Sequence, residues 1–264
     1  MLNVQNLNIT FNPRTPIETS ALRGLSLEIP HGQFVTVIGS NGAGKSTLLN
    51  AVSGDYAVDS GSVVINDKDV TDLPVWKRAD QVARVFQDPM AGTCEDLTIE
   101  ENMALAYRRG GRRGLSIAVR HSMRDQFRER LATLGLGLED RLTDRIGLLS
   151  GGQRQAVSLL MATLQPSRIL LLDEHTAALD PRTAQFVLEL TARLVHEGKL
   201  TTMMVTHSMR QALDVGDRTV MLHQGNVVLD VSGPERQGLE ITDLLAMFER
   251  VRGEEVSDDS LLLG

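Results

Sequence analysis

The stretch Gly39-Ser40-Asn41-Gly42-Ala43-Gly44-Lys45-Ser46-Thr47 restricts what this chain can fold into more than any other. It follows the apolar run Phe34-Val35-Thr36-Val37-Ile38 and precedes Leu48-Leu49-Asn50-Ala51-Val52, so a buried strand leads through a glycine-rich loop into a helix. Three glycines permit backbone conformations that a Cβ forbids. Successive N–H groups can then converge on a phosphate, aided by the positive end of the helix dipole. In such a cradle Lys45 supplies a point charge between β- and γ-phosphates, and the Ser46 hydroxyl supplies a hard oxygen for Mg2+. The plainer alternative, a glycine-rich turn beside an exposed lysine, is opposed by a second motif.

That motif is Ile169-Leu170-Leu171-Leu172-Asp173-Glu174, in which four consecutive apolar residues mark a fully buried strand. Its C-terminal end is the edge where open α/β sheets bind ligands. Asp173 can there hold Mg2+, through water. Glu174 points elsewhere, because strand side chains alternate, and is placed to take a proton from an attacking water. Capping of the next helix is the bland use of an isolated Asp-Glu pair, but a phosphate cradle in the same chain argues for chemistry.

The remaining pattern organises the chain around these two loops. Strand signals run through Leu2 to Ile9, Leu25 to Ile29, Ser62 to Ile65 and Val82 to Phe86. From Thr98 to about Leu164 the texture is helical: Val119, Met123, Phe127, Leu131 and Leu134 form one apolar stripe at spacings of four and three. Strands resume at Ile169, a helix is predicted from about Thr183 to His196, and further strands cover Thr201 to Val205 and Thr219 to Leu222. Gln224-Gly225 before Val227-Val228-Leu229 reads as a hairpin turn. The core is therefore α/β. After Arg252 the chain is acidic, with Glu254, Glu255, Asp258 and Asp259, and is expected to be frayed.

Composition excludes several classes. Lys plus Arg is 27 against 34 Asp plus Glu, a net charge of -7, which argues against a surface that grips nucleic acid. The single Cys94 cannot close an intrachain disulfide or build a cysteine metal site. No apolar run approaches the roughly 18 residues needed to cross a bilayer. The expected location is the cytoplasm, with any membrane role borrowed from a partner.

Leu149-Ser150-Gly151-Gly152-Gln153 adds a string that other P-loop classes have no reason to carry. With the cradle and Asp173-Glu174, it makes the chain resemble the nucleotide-binding subunit of an ATP-binding-cassette (ABC) system, over about Leu2 to Phe248. The resemblance implies a P-loop NTPase core with a mixed sheet, an antiparallel β subdomain and an inserted helical subdomain at about 88–165. All lie in one domain at 1–250, ahead of an acidic tail at 251–264. It implies ATP and Mg2+ as ligands, with Phe11 stacking on adenine and Gln87 sensing Mg2+ and the γ-phosphate. Asp180, within Ala178-Leu179-Asp180, then links two subunits, and His207 contacts the γ-phosphate. One departure is His175, where the family commonly has proline. It is expected to alter the stiffness of the loop after Glu174 and to titrate near neutral pH.

Ser150, Gly151 and Gly152 precede Gln153-Arg154-Gln155-Ala156-Val157, so they can form a second anion-binding helix N-terminus. If that N-terminus lies away from the chain's own cradle, the family's head-to-tail dimer follows, each ATP lying between Lys45 of one chain and Ser150 of the other. The resemblance implies an ATPase, catalytic through Glu174, His207, Gln87 and Lys45, that powers separate integral membrane permease subunits from the inner face of the cell membrane. A homodimer and a solute-binding protein complete such a system. Resemblance to bacterial uptake systems for tryptophan or tyrosine favours import. The iron-sulfur cluster assembly ATPase, also a single cassette of similar length, is the alternative, and it binds a soluble scaffold in place of a permease. Eight arginines against two acids over residues 108–130 give a local balance of +6. The dense cluster Arg108-Arg109-Gly110-Gly111-Arg112-Arg113 is expected near acidic lipid headgroups or an acidic loop of a membrane partner.

Overall fold

The computed structural model describes residues 1–111, 119 and 121–252, with backbone alone at 250–252. Arg112, Arg113, Arg120 and the acidic tail from residue 253 onward lie outside the described residues. The chain opens with three strands, β1 (Leu2–Phe11), β2 (Thr19–Ile29) and β3 (Phe34–Gly39), and the helix α1 (Lys45–Ser53). Next come β4 (Ser60–Ile65), β5 (Lys68–Asp69), α2 (Val75–Arg78) and β6 (Val82–Val85). Three helices follow, α3 (Ile99–Tyr107), α4 (His121–Ala132) and α5 (Gly151–Thr163). The last part holds β7 (Ile169–Asp173), α6 (Pro181–Gly198), β8 (Thr202–Val205), α7 (Met209–Asp214), β9 (Arg218–His223), β10 (Asn226–Ser232), α8 (Gly233–Arg236) and α9 (Ile241–Arg252).

Two sheets result. β2-β1-β4-β5 is antiparallel, whereas β10-β9-β3-β8-β7-β6 is mixed, with β9 through β6 parallel and only β10 reversed. β3 and β8 are buried along their whole lengths, as expected for central parallel strands covered on both faces. Strand alternation divides the core. Ile169, Leu171, Val35, Val37, Met203 and Val205 pack with α1 and the antiparallel sheet, whereas Leu170, Leu172, Val85 and Met204 pack with α3 to α6. The β9–β10 turn places Gln224 and Gly225 both at positive φ, the conformation that a two-residue hairpin requires.

The apolar stripe predicted over residues 119–134 is buried at Met123, Phe127, Leu131 and Leu134, and Phe127 meets Tyr107 edge-on at 6.1 Å. Helix does not run unbroken from Thr98 to Leu164. Between α4 and α5 the described chain has only the 3-10 turn Ile146–Leu148, because Gly135 and Gly137 (φ +67 each) break the helical path. α3 begins at a reciprocal cap: Thr98 Oγ1 accepts from Glu101 N at 3.2 Å, and the Glu101 carboxylate accepts from Thr98 N at 2.7 Å. Arg78, 1% exposed, donates to the carbonyls of Ala51, Val52, Thr71 and Leu73, so it closes the C-terminal end of α1 from within the core. Among the described residues, no helix is long and apolar enough to cross a membrane.

Candidate functional site

The parallel strands β3, β7 and β8 end side by side, with Asp173 opposite Val205 and Val37 also opposite Val205. That register brings the loop after β3, the acidic pair after β7 and His207 after β8 to one edge. Gly39, at φ +146, passes so close to β9 that a Cβ would stand 2.2 Å from Leu222 O; at Gly44, φ +100, it would stand 2.6 Å from Ala21 O. The loop can hold this curve only with glycine at both positions. α1 starts at Lys45 with no side-chain cap, so its first N–H groups are left for an anion.

Lys45 is 5% exposed and donates to Gly39 O at 2.8 Å and Ser40 O at 3.1 Å. Burial pushes its ammonium below the ordinary lysine range, opposed by the charges of Glu174 and Asp173. Beside it lies a cavity of about 360 Å³ lined by Phe11, Thr19, Ala21, Asn41 to Thr47, Glu174 and His207. The structure thus unites the cradle, the acid expected to take a proton, His207 and the aromatic Phe11. Glu174 Oε1 is 2.5 Å from His207 Nε2, and Glu174 adopts φ +43, an uncommon conformation for a residue with a long side chain. Gln87 is exposed and lines a neighbouring cavity with Phe86, Asp88, Asp173 and Ala178.

The string Ser150-Gly151-Gly152-Gln153 lines neither cavity. Ser150 caps α5: its Oγ accepts from Gln153 N at 3.3 Å, and Gln153 Oε1 accepts from Ser150 N at 3.2 Å. Asp180 caps α6, accepting from Thr183 N at 3.2 Å, and this hydrogen bonding lowers its pKa.

His175 corrects the expectation of a group titrating near neutrality. It is 2% exposed, and burial lowers its pKa from 6.5 to about 4. Its Nε2 lies 2.9 Å from Thr191 Oγ1, whose single proton goes to Val187 O at 2.8 Å. The imidazole must therefore donate, which fixes the neutral tautomer with hydrogen on Nε2.

Three residues that the sequence left unmarked also meet here. The Gln211 amide oxygen accepts from Thr176 Oγ1 at 3.2 Å and from Thr206 Oγ1 at 3.0 Å, tying the loop after Glu174 to the loop before His207. Tyr56 stands edge-on to Phe11 at 5.3 Å. Arg84, from β6, donates to Asp173 Oδ2 at 2.8 Å. Nothing in local spacing marked them, because each is defined by residues distant in sequence.

Mg2+ prefers hard oxygens, and the Ser46 hydroxyl, the Gln87 amide oxygen and the Asp173 carboxylate are of that kind. Asp173 Oδ2 is taken by Arg84, whereas no hydrogen bond reaches Oδ1 among the described residues. Also among them, no group of three or more His, Cys, Asp or Glu could hold a metal. The donor set fits an ion that completes its shell with phosphate oxygens and water. In the arginine-rich region, Arg109 donates to Ala162 O and Gln165 O at the end of α5, and Arg124 pairs with Glu100 at 2.7 Å. These two cations are engaged within the fold.

A sequence profile of the family described as ABC transporter matches residues 22–177. The chain is 44% identical over 249 residues to the tyrosine transport ATP-binding protein of Clostridioides difficile strain R20291, covering 94% of this chain and 99% of that one. An energy-coupling factor transporter ATP-binding protein of Clostridium perfringens is 30% identical over 265 residues, covering 96% and 90%. Among solved structures, the dimeric post-hydrolysis state of an ATP-binding cassette bound to ADP and phosphate superposes with a TM-score of 0.75 at 29% identity, covering 88% of this chain and 98% of that one. The glycine-lined cradle, the two sheets and these relatives agree: the chain belongs to the ABC transporter family, as an ATP-binding domain.

Proposed function

We propose that this chain binds ATP, hydrolyses it between two copies of itself, and thereby drives a separate membrane permease that imports a small solute. The observation that carries the reading is the 2.5 Å contact between Glu174 and His207 in the same cavity as Lys45 and the uncapped start of α1. The loop from Gly39 to Gly44 and the N–H groups of Lys45, Ser46 and Thr47 receive the phosphates, Lys45 bridges the β- and γ-phosphates, and Phe11 packs on the adenine. Ser46, Gln87 and Asp173 hold Mg2+, which when bound offsets phosphate charge. Glu174 accepts the proton of the attacking water as water oxygen bonds to the γ-phosphorus and the bond to ADP breaks, giving ADP and phosphate. His207 leaves Glu174 to contact the γ-phosphate. The partner's copy of Ser150-Gly151-Gly152 caps the same γ-phosphate, and Asp180 joins the two chains.

In this reading residues 1–250 act as one domain, and its helical part at about 88–165 passes the closing motion to the permease. The names of the Clostridioides difficile and Clostridium perfringens relatives support transport, with tyrosine or a related small solute as cargo. A solute-binding protein then delivers the cargo, and the chain works at the inner membrane face through its permease.

The test is to purify tagged Glu174→Gln from native membranes in detergent with Mg2+ and ATP. Unhydrolysed ATP and a polytopic membrane protein should come with it. Bound ADP with free phosphate would contradict the assignment of the base, and a soluble scaffold as partner would contradict transport.

A further inference from the structure

We propose that Arg84 is a positioning residue for the metal side of this site. It anchors the Asp173 carboxylate while weakening its attraction for a free divalent cation, so that Mg2+ settles only together with nucleotide phosphates. The proposal rests on the reading of Asp173 as a metal ligand.

The arrangement is built, and it spans three parts of the fold. Arg84 Nη2 donates to Asp173 Oδ2 at 2.8 Å, while Nη1 donates to Asn50 Oδ1 at 2.7 Å and to Asp55 Oδ2 at 2.8 Å. The guanidinium carbon lies 4.6 Å from the centre of the Phe86 ring, and Nε is buried without a hydrogen-bond partner. The side chains of Arg84 and Asp173 are only 13% and 15% exposed, so solvent screens their attraction poorly. Asn50 is on α1, the helix that begins with Lys45 and Ser46, so one cation fastens that helix to the end of β7.

Without Arg84, the Asp173 carboxylate would stand at the end of a buried strand with no cation hydrogen-bonded to it among the described residues. The other nearby cation, Lys45, already donates to Gly39 O and Ser40 O. A carboxylate so placed attracts divalent ions by itself. With the guanidinium on Oδ2, a metal approaching Oδ1 meets a carboxylate whose charge is already offset. Phosphate oxygens must then supply the missing negative charge. Lysine could offset the charge, but only the planar fork reaches Asp173, Asn50 and Asp55 together.

The experiment is Mn2+ titration of the purified chain, followed by the electron paramagnetic resonance signal of free Mn2+, with and without ADP. Arg84→Met should bind Mn2+ about tenfold more tightly than the parent in the absence of nucleotide, whereas Arg84→Lys should stay within about threefold of the parent. Parental or weaker Mn2+ binding by folded Arg84→Met would overturn the proposal. If Arg84→Met does not fold, Asp55→Asn serves instead. It removes the competing acid, leaves the guanidinium to Asp173 and should weaken Mn2+ binding a few-fold; unchanged or tighter binding would overturn the proposal. Asp173→Asn separates the two levels: if it holds Mn2+ with ADP at the parental affinity, the assignment of Asp173 as a ligand fails, whatever Arg84 does.

Discussion

His175 stands one residue after Glu174, and its imidazole stays neutral down to a pH of about 4 because the charged form would be buried. In the unfolded chain the same group takes up its proton near 6.5. As pH falls through 6.5 the unfolded state gains a proton that the native state refuses until about 4. This contribution to stability is complete above 6.5 and is lost between 6.5 and 4, by about 3 kcal/mol in total. His175→Gln keeps a donor for Thr191 and removes the titration. Urea unfolding at pH 7.5 and pH 5 should show the parent losing about 2 kcal/mol more than the variant; equal losses would show that His175 does not govern this range. That Lys45, Ser46 and Glu174 line one cavity was legible in the sequence, because the glycine-rich loop and the acidic pair each follow a buried strand. The state of His175 was not, since local sequence says that a histidine follows Glu174 but not that its ring meets Thr191 on α6.

At the scale of elements, the loops after β7 and β8 act together through Gln211 at the start of α7. Gln211→Leu removes the acceptor shared by Thr176 and Thr206 without touching the phosphate cradle. Phosphate release should fall several-fold, with fluorescent ATP analogue binding within about twofold of the parent, as expected when about 1 kcal/mol of loop positioning is lost. Equal loss of binding and turnover would place Gln211 in the binding surface instead. The strands that deliver the site were readable because β3 and β7 are continuous apolar runs buried on both faces. α9 was overlooked, although Ile241, Leu244, Leu245 and Phe248 recur at the helical spacing and Phe248 packs on His223 at 5.5 Å. The break after α4 was readable in Gly135 and Gly137 but was outweighed by the apolar stripe that ends just before it at Leu134.

For the whole molecule, the decisive fact is a separation. The cradle at the start of α1 and the Ser150-Gly151-Gly152 cap at the start of α5 are the two helix ends proposed to bind phosphate, and the second lines no part of the first one's cavity. A single copy thus offers ATP only one of the two surfaces. In the proposed head-to-tail arrangement a second copy would supply the other; two solved cassettes that superpose on this chain are dimeric. Both helix starts were readable in the sequence, but that they line separate parts of the surface is a product of the fold. The most direct test is sedimentation velocity of Glu174→Gln with Mg2+ and ATP, with ADP, and with ATP after the further change Lys45→Ala. Glu174→Gln should be a dimer with Mg2+ and ATP and a monomer in the other two conditions; a monomer with bound ATP, or a dimer indifferent to nucleotide, would overturn the proposed ATP-bridged dimer.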